Sequence, residues 1–158
     1  MTEPIMAVVK LIRAQVADPY TTRNSLPVLP DWPKVGLNKV AYPRISVSKV
    51  TAKEESVAIG NLTEMEEEIT LDINLWFWCK TGDTQILTIS STKYSEGKLR
   101  DYFTKVVKDE LRNHWYTDTN TTGYYDYIVN ATRNIDFDED EGIMRTQIEI
   151  GFKRMNVS

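Results

Sequence analysis

At 158 residues, 41% hydrophobic and 27% charged, the chain reads as one soluble domain over residues 1–158, able to bury roughly 70% of its unfolded surface. A formal net charge of −4 argues against a general nucleic-acid binder, which needs a basic face to displace counterions. A single cysteine excludes an internal disulfide framework and a Cys-rich zinc site, and no apolar run approaches the ~20 residues that cross a bilayer, so no membrane partner is expected.

The first predicted element is a short helix. Thr2 is its expected N-cap, Pro4 suits the first turn, and Glu3 complements the positive end of the helix dipole. Ile5, Val8, Ile12 and Val16 form its apolar stripe, and Asp18-Pro19 ends it. Lys10 and Arg13 interrupt the apolar residues and no basic region precedes them. Cytoplasmic synthesis, without a secretory signal, is therefore expected.

Residues 19–43 hold five of the six prolines, which removes backbone donors and restricts the preceding residues. Leu26, Val28, Leu29, Trp32, Val35 and Leu37 make the stretch too apolar for a solvated linker. Long loops in small domains are usually functional or packed on something. This one is expected to be an arm lying along the domain or along a neighbouring subunit.

Arg44–Val57 reads as a strand, followed by a turn or loop around Ala58–Glu64. Glu66–Cys79 then alternates almost without a break. Ile69, Leu71, Ile73, Leu75, Phe77 and Cys79 fall on one face, and Thr70, Asp72, Asn74, Trp76 and Trp78 on the other. The second face starts polar and ends in two tryptophans, an end that a packed helix or a neighbouring subunit is expected to cover. Lys80–Asp83 is a turn signal and Gln85–Ile89 a short apolar piece.

A second helix is predicted over about Ser95–Trp115, with Leu99, Tyr102, Phe103, Val106 and Leu111 on its apolar face. After a loop at Asp118–Gly123, Tyr124–Phe137 and Ile143–Met155 form the last two strands, joined by the acidic turn Asp138–Glu141. Tyr125, Tyr127, Val129, Ala131, Ile135 and Phe137 are expected to share one face. The fold class is thus α+β: a four-stranded, largely antiparallel sheet, two helices packed on one face, and a long Pro-rich arm.

Tests for chemistry return little. His114, the one histidine, lies near a helix end, where a structural role is usual. No Ser-His-Asp or Cys-His arrangement and no Gly-rich phosphate loop is evident. The acidic turn lacks EF-hand spacing. Asp72 is followed by Ile-Asn-Leu rather than by the acid and lysine of a metal-dependent nuclease strand. Tyr124, Tyr125 and Tyr127 have no RNP-like companion and read as strand packing. No catalytic residue, metal site or cofactor is expected, and the chain is not read as an enzyme.

The layout resembles the tail terminator and tail-completion family of tailed bacteriophages and archaeal tailed viruses, of which the lambda tail terminator is the type. The resembling segments are the helix MAVVKLIRAQV, the Tyr20–Pro43 arm ending in AYPRISV, the strand ITLDINLWFWC, the helix GKLRDYFTKVVKDELRN and the closing pair YIVNATRNIDFDED and MRTQIEIGFKR. They span nearly the whole chain, although the family shares architecture more than any motif. The resemblance implies a structural virion protein at the head–tail junction, assembled in the host cytoplasm. It would form a ring, commonly a hexamer, that caps the tail-tube protein, stops tube polymerisation and docks on the head-connector or neck protein. DNA would pass through the lumen without specific binding. Within that frame Leu29, Trp32, Trp76 and Trp78 are candidates for subunit contacts. Asp138, Glu139, Asp140 and Glu141 are candidates for a loop facing the lumen or the next ring. The alternatives are another neck component or a small metal-dependent nuclease.

Overall fold

A computed structural model of the chain describes residues 3–19, 26–30, 43–58, 61–78, 87–89, 92–94, 96–138 and 143–157. The architecture is α+β. Helix α1 is Pro4–Gln15 and α2 is Glu96–His114. The strands are β1 Val28–Leu29, β2 Arg44–Ala58, β3 Asn61–Trp78, β4 Leu87–Ile89, β5 Thr92–Tyr94, β6 Tyr125–Asp138 and β7 Ile143–Val157. β4 and β5 pair with each other, and a short 3-10 turn, Thr119–Thr121, follows α2.

The main sheet has five strands in the order β1-β2-β3-β7-β6 and is mixed. This corrects the expected four-stranded sheet. The extra strand comes from the Pro-rich arm: Val28 and Leu29 run parallel to β2, opposite Ile45 and Ser46. Proline removes ladder donors, so a Pro-flanked pair of residues fits a sheet edge and nowhere inside it. The remaining contacts, β2 with β3, β3 with β7 and β7 with β6, are antiparallel.

From Ile69 to Phe77 the alternation in β3 sorts its residues as expected, and Cys79 lies outside the described residues. Ile69, Leu71, Ile73, Leu75 and Phe77 are fully buried together with Ile45, Val47, Ile148, Ile150 and Phe152 of the neighbouring strands. Ala7, Val8, Leu11 and Ile12 of α1 complete this core, as do Leu99, Phe103, Val107, Leu111 and Trp115 around α2. Both helices therefore cover one face of the sheet. Val107 lies on the buried stripe at four-residue spacing from Phe103 and Leu111, whereas Tyr102 and Val106 are only half-buried.

Three boundaries differ from expectation. Glu3 occupies the N-cap of α1 and makes no side-chain capping bond. Thr2, the expected cap, lies outside the described residues. The β2–β3 hairpin reaches Ala58 opposite Asn61, so the expected loop at Ala58–Glu64 is mostly strand. In β6, register shifts between Tyr125 and Ile128 and between Val129 and Ala131 reverse the side-chain parity. Val129 pairs with core-facing Ile150, whereas Ala131 and Ile135 pair with Glu149 and Arg145 on the opposite face. The residues expected to share one face of β6 are thus divided between two.

Around Trp115 the packing is dense. Its ring stacks on Tyr127 with centroids 4.5 Å apart and 21° between planes, and lies 4.9 Å from Phe152. Its indole N–H donates to the Tyr124 carbonyl at 3.0 Å. The tyrosine cluster therefore locks the end of α2 onto β6 and β7, in line with strand packing. His114, one residue before, pairs with Glu110 at 3.1 Å on the helix surface.

Candidate assembly surfaces

Leu29 is held by the helix beneath it. The Arg13 guanidinium donates to the Val28 carbonyl through Nε at 3.0 Å and through Nη2 at 2.6 Å. The Ile45 N–H donates to the Pro27 carbonyl at 2.8 Å. Val28 enters the core at 1% exposure while Leu29, the next residue, stays 37% exposed. An apolar side chain is thus presented on a fixed piece of backbone rather than on a loose arm. Trp32 lies outside the described residues.

Trp76 is fully buried within its own chain. Its indole N–H donates to the Ser46 hydroxyl at 2.9 Å, and the Arg145 guanidinium sits 5.4 Å from the ring centroid. Arg44 and Arg145 are its cross-strand partners. The ring is thus enclosed by side chains of its own chain. Trp78 ends β3 opposite Ile143, and its side chain lies outside the described residues.

Asp138 ends β6, also opposite Ile143, while Glu139, Asp140 and Glu141 lie outside the described residues. The register nevertheless gathers the candidates. Leu29 lies level with Ser46 and Asn74, Trp76 one pair of residues further, and Trp78 and Asp138 at the strand ends beyond. One end of the sheet thus carries Leu29, Trp76, Trp78 and Asp138.

The sheet face away from the helices carries a polar row. Asn74 donates to the Ser48 hydroxyl at 3.5 Å, and Gln147 donates to Asp72 at 2.6 Å. Burial pushes the Asp72 carboxyl above its ordinary value, the Gln147 bond opposes this, and Glu149 directly across the strand pair adds to it. The nearby Arg133 and Arg145 pull the other way. A divalent cation would meet two competing guanidinium groups here. Among the described residues no group of three or more His, Cys, Asp or Glu side chains converges.

The raised Asp72 carboxyl has a consequence for stability. A native carboxyl that holds its proton more tightly than the unfolded chain adds stability at low pH, and loses it as pH rises through the native value. Asp72→Asn is therefore expected to raise the melting temperature near neutral pH. The gain should vanish in thermal scans well below the ordinary carboxylate value of 3.8.

A groove of about 620 Å³ runs between α2 and β6, lined by Asp101, Lys105, Lys108, Arg112, Tyr127 and Thr132 among others. Asp109 holds Lys105 at 2.9 Å and Arg112 at 3.2 Å along its rim. Ile128 stands 57% exposed beside it. Composition and periodicity gave no signal for this groove, because strand order, which puts β6 at the sheet edge, is not written locally in a sequence.

No helix among the described residues is long and apolar enough to cross a membrane. Comparison of the sequence with protein-family models gives no match, and a search of curated proteins gives none either.

Proposed function

We propose that this chain is a ring-forming structural subunit of a tailed virus, of the tail-terminator type. The ring, a hexamer by the resemblance, caps the tail tube, stops its polymerisation and joins the tail to the head connector. No catalytic step is assigned to it. The observation that carries the reading is the placement of Val28 and Leu29. A Pro-rich segment too apolar for a linker enters the sheet edge as β1 and is clamped by Arg13. It presents Leu29 outward at the flank of the domain. A rigid apolar projection at a sheet edge suits a head-to-tail contact, and such contacts close into rings when the rotation closes.

In this reading Leu29, with Trp32 and Trp78, contacts the next subunit, while Trp76 supports that end of the sheet from inside. The acidic Asp138–Glu141 connection faces the lumen or the neighbouring ring, where negative charge lets DNA slide without sticking. Another neck component would use the same ring with different axial partners.

The contact is tested by Leu29→Glu. A buried unpaired carboxylate at an apolar contact is costly, so subunit affinity should fall at least about 100-fold, or ~3 kcal/mol. The isolated subunit should stay folded with only a small loss of stability, because the side chain is partly exposed there. Analytical ultracentrifugation reads the first effect and thermal denaturation the second. Unchanged assembly by a folded Leu29→Glu subunit would remove Leu29 from the interface.

A further inference from the structure

The groove between α2 and β6 lies beside an open sheet edge. β6 is the terminal strand of the main sheet, and no strand among the described residues pairs with its outer side. Unpaired N–H and C=O groups along an edge are a template for another strand. The start of β6 is blunted: Asp126 is left-handed with φ 54, and the Tyr127 N–H donates to the Tyr116 hydroxyl at 3.1 Å. Beyond the register shift after Val129, Ala131–Asp136 pairs regularly with β7 and contains no proline. Thr132, Arg133 and Asn134 within it are exposed.

This edge and the groove meet. Thr132 and Asn134 line the groove and pair with the buried Ile148 and Thr146 of β7, so the groove lies on the helix side of β6. Side chains of a strand alternate between its two faces. Every second side chain of a segment laid along the edge would therefore stand beside the groove. Its volume of about 620 Å³ is ample for several side chains.

The chemistry along the groove calls for acceptors. Lys105, Lys108 and Arg112 of α2 stand against only two acids, Asp101 and Asp109. Asp109 is already shared, with Lys105 at 2.9 Å and Arg112 at 3.2 Å. The Lys105 bond, with Arg112 and Lys108 nearby, holds its carboxyl below the ordinary value. That is a local excess of cations in a chain of net charge −4. Within Ala131–Asp136 the charges of Arg133 and Asp136 cancel, so α2 sets the preference. Two hydroxyls along the groove, of Thr104 and Tyr127, are buried without a hydrogen-bond partner, and Thr104 is only 9% exposed. Buried polar groups are nearly always paired. Hydroxyl protons, ammonium groups and guanidinium groups are all met by a carboxylate, which only accepts.

We propose that the groove takes an extended acidic segment of a partner protein, which adds as a strand to Ala131–Asp136 of β6 and sets its carboxylates against Lys105, Lys108 and Arg112. In strand addition the main-chain hydrogen bonds give affinity and the alternate side chains give specificity. Antiparallel addition is the slightly more stable sense. The site lies within one chain, so the inference goes beyond the ring reading and does not require a ring.

The probe is a fluorescein-labelled heptapeptide alternating valine with glutamate, titrated with the purified chain and read by fluorescence anisotropy. Saturable binding is expected, and it should weaken as salt rises. Lys108→Glu should raise the dissociation constant at least about tenfold, with thermal denaturation confirming that the variant is folded. A peptide alternating valine with lysine should bind the wild type at least about tenfold more weakly.

Strand addition is read separately, from the peptide backbone. Neighbouring residues of an added strand direct their N–H groups alternately toward and away from the edge. Methylating either all glutamate or all valine nitrogens should therefore abolish binding in one case and spare it in the other. No saturation by the glutamate peptide at about 1 mM, or equal binding of the lysine peptide, overturns the proposal. Binding that ignores both methylation patterns overturns it too, leaving a charge contact without an added strand. A chain that binds as expected yet stays monomeric with tube protein present overturns the ring reading and leaves the groove assignment standing.

Discussion

Trp115→Ala is expected to lower folding stability by about 4 kcal/mol, within the range for emptying a large buried aromatic site. The ring is fully buried at the point where the end of α2 meets β6 and β7. Its removal deletes the stack on Tyr127 and the contact with Phe152. It also leaves the Tyr124 carbonyl without the indole donor it now has at 3.0 Å. The hydroxyl of Thr121 bonds the Trp115 backbone carbonyl at 2.6 Å, a contact that survives the substitution and keeps the turn in place. The loss is therefore packing plus one hydrogen bond. For a domain of this size it corresponds to a fall in melting temperature of roughly 10 °C. Trp115→Phe retains an aromatic stack but not the donor, and should cost about 1–2 kcal/mol. Thermal and urea denaturation check both. A Trp115→Ala loss below about 1 kcal/mol would mean that the helix end is not held as described.

The second large effect lies at the opposite end of the sheet from Trp76. Glu67 is 5% exposed, and its Oε2 accepts from Arg154 through both Nε and Nη2 at 3.0 Å. Arg154 also reaches the Tyr124 hydroxyl at 3.4 Å and sits 6.0 Å from that ring's centroid. Removing one partner of a buried pair leaves the other charge desolvated and unpaired. Glu67→Ala is accordingly expected to cost about 3 kcal/mol. Replacing both, Glu67→Leu with Arg154→Met, should recover most of that loss, because an apolar pair of similar volume carries no desolvation penalty. The double-mutant cycle measures this coupling directly. A double variant as unstable as Glu67→Ala would show that shape, rather than charge, limits that corner.

The parts legible in the sequence were those with one-sided burial. β3 has two helices on one face, so its apolar residues recur every second position from Ile69 to Phe77. Both helices announced themselves through the spacing of their apolar residues. What was not legible depended on distant partners. Val28 and Leu29 form a strand only because β2 and Arg13 supply partners for their backbone, and two residues between prolines carry no periodicity. The division of β6 between two faces follows from bulges opposite β7, which the alternation of its own residues does not encode. The lower part of the β2–β3 hairpin carries Glu66, Glu67 and Glu68 in a row, so it shows no apolar alternation although its backbone is paired.

The candidate surfaces divide along the same line. Leu29 was found from its apolar character in a Pro-rich stretch, and it is held outward. Trp76 was found from its place on the second face of β3. It turns out to be enclosed by Ser46 and Arg145 in its own chain. A solvent-side tryptophan and one covered by arginines read alike in a sequence, because the covering side chains come from other strands.

The most direct test of the account is the mass of the purified chain by size-exclusion chromatography with light scattering, alone and then with tail-tube protein added. The account predicts one discrete species at six subunit masses, or a subunit that converts to such a ring on tube ends and halts tube growth. A strict monomer that leaves tube polymerisation unchanged would contradict it.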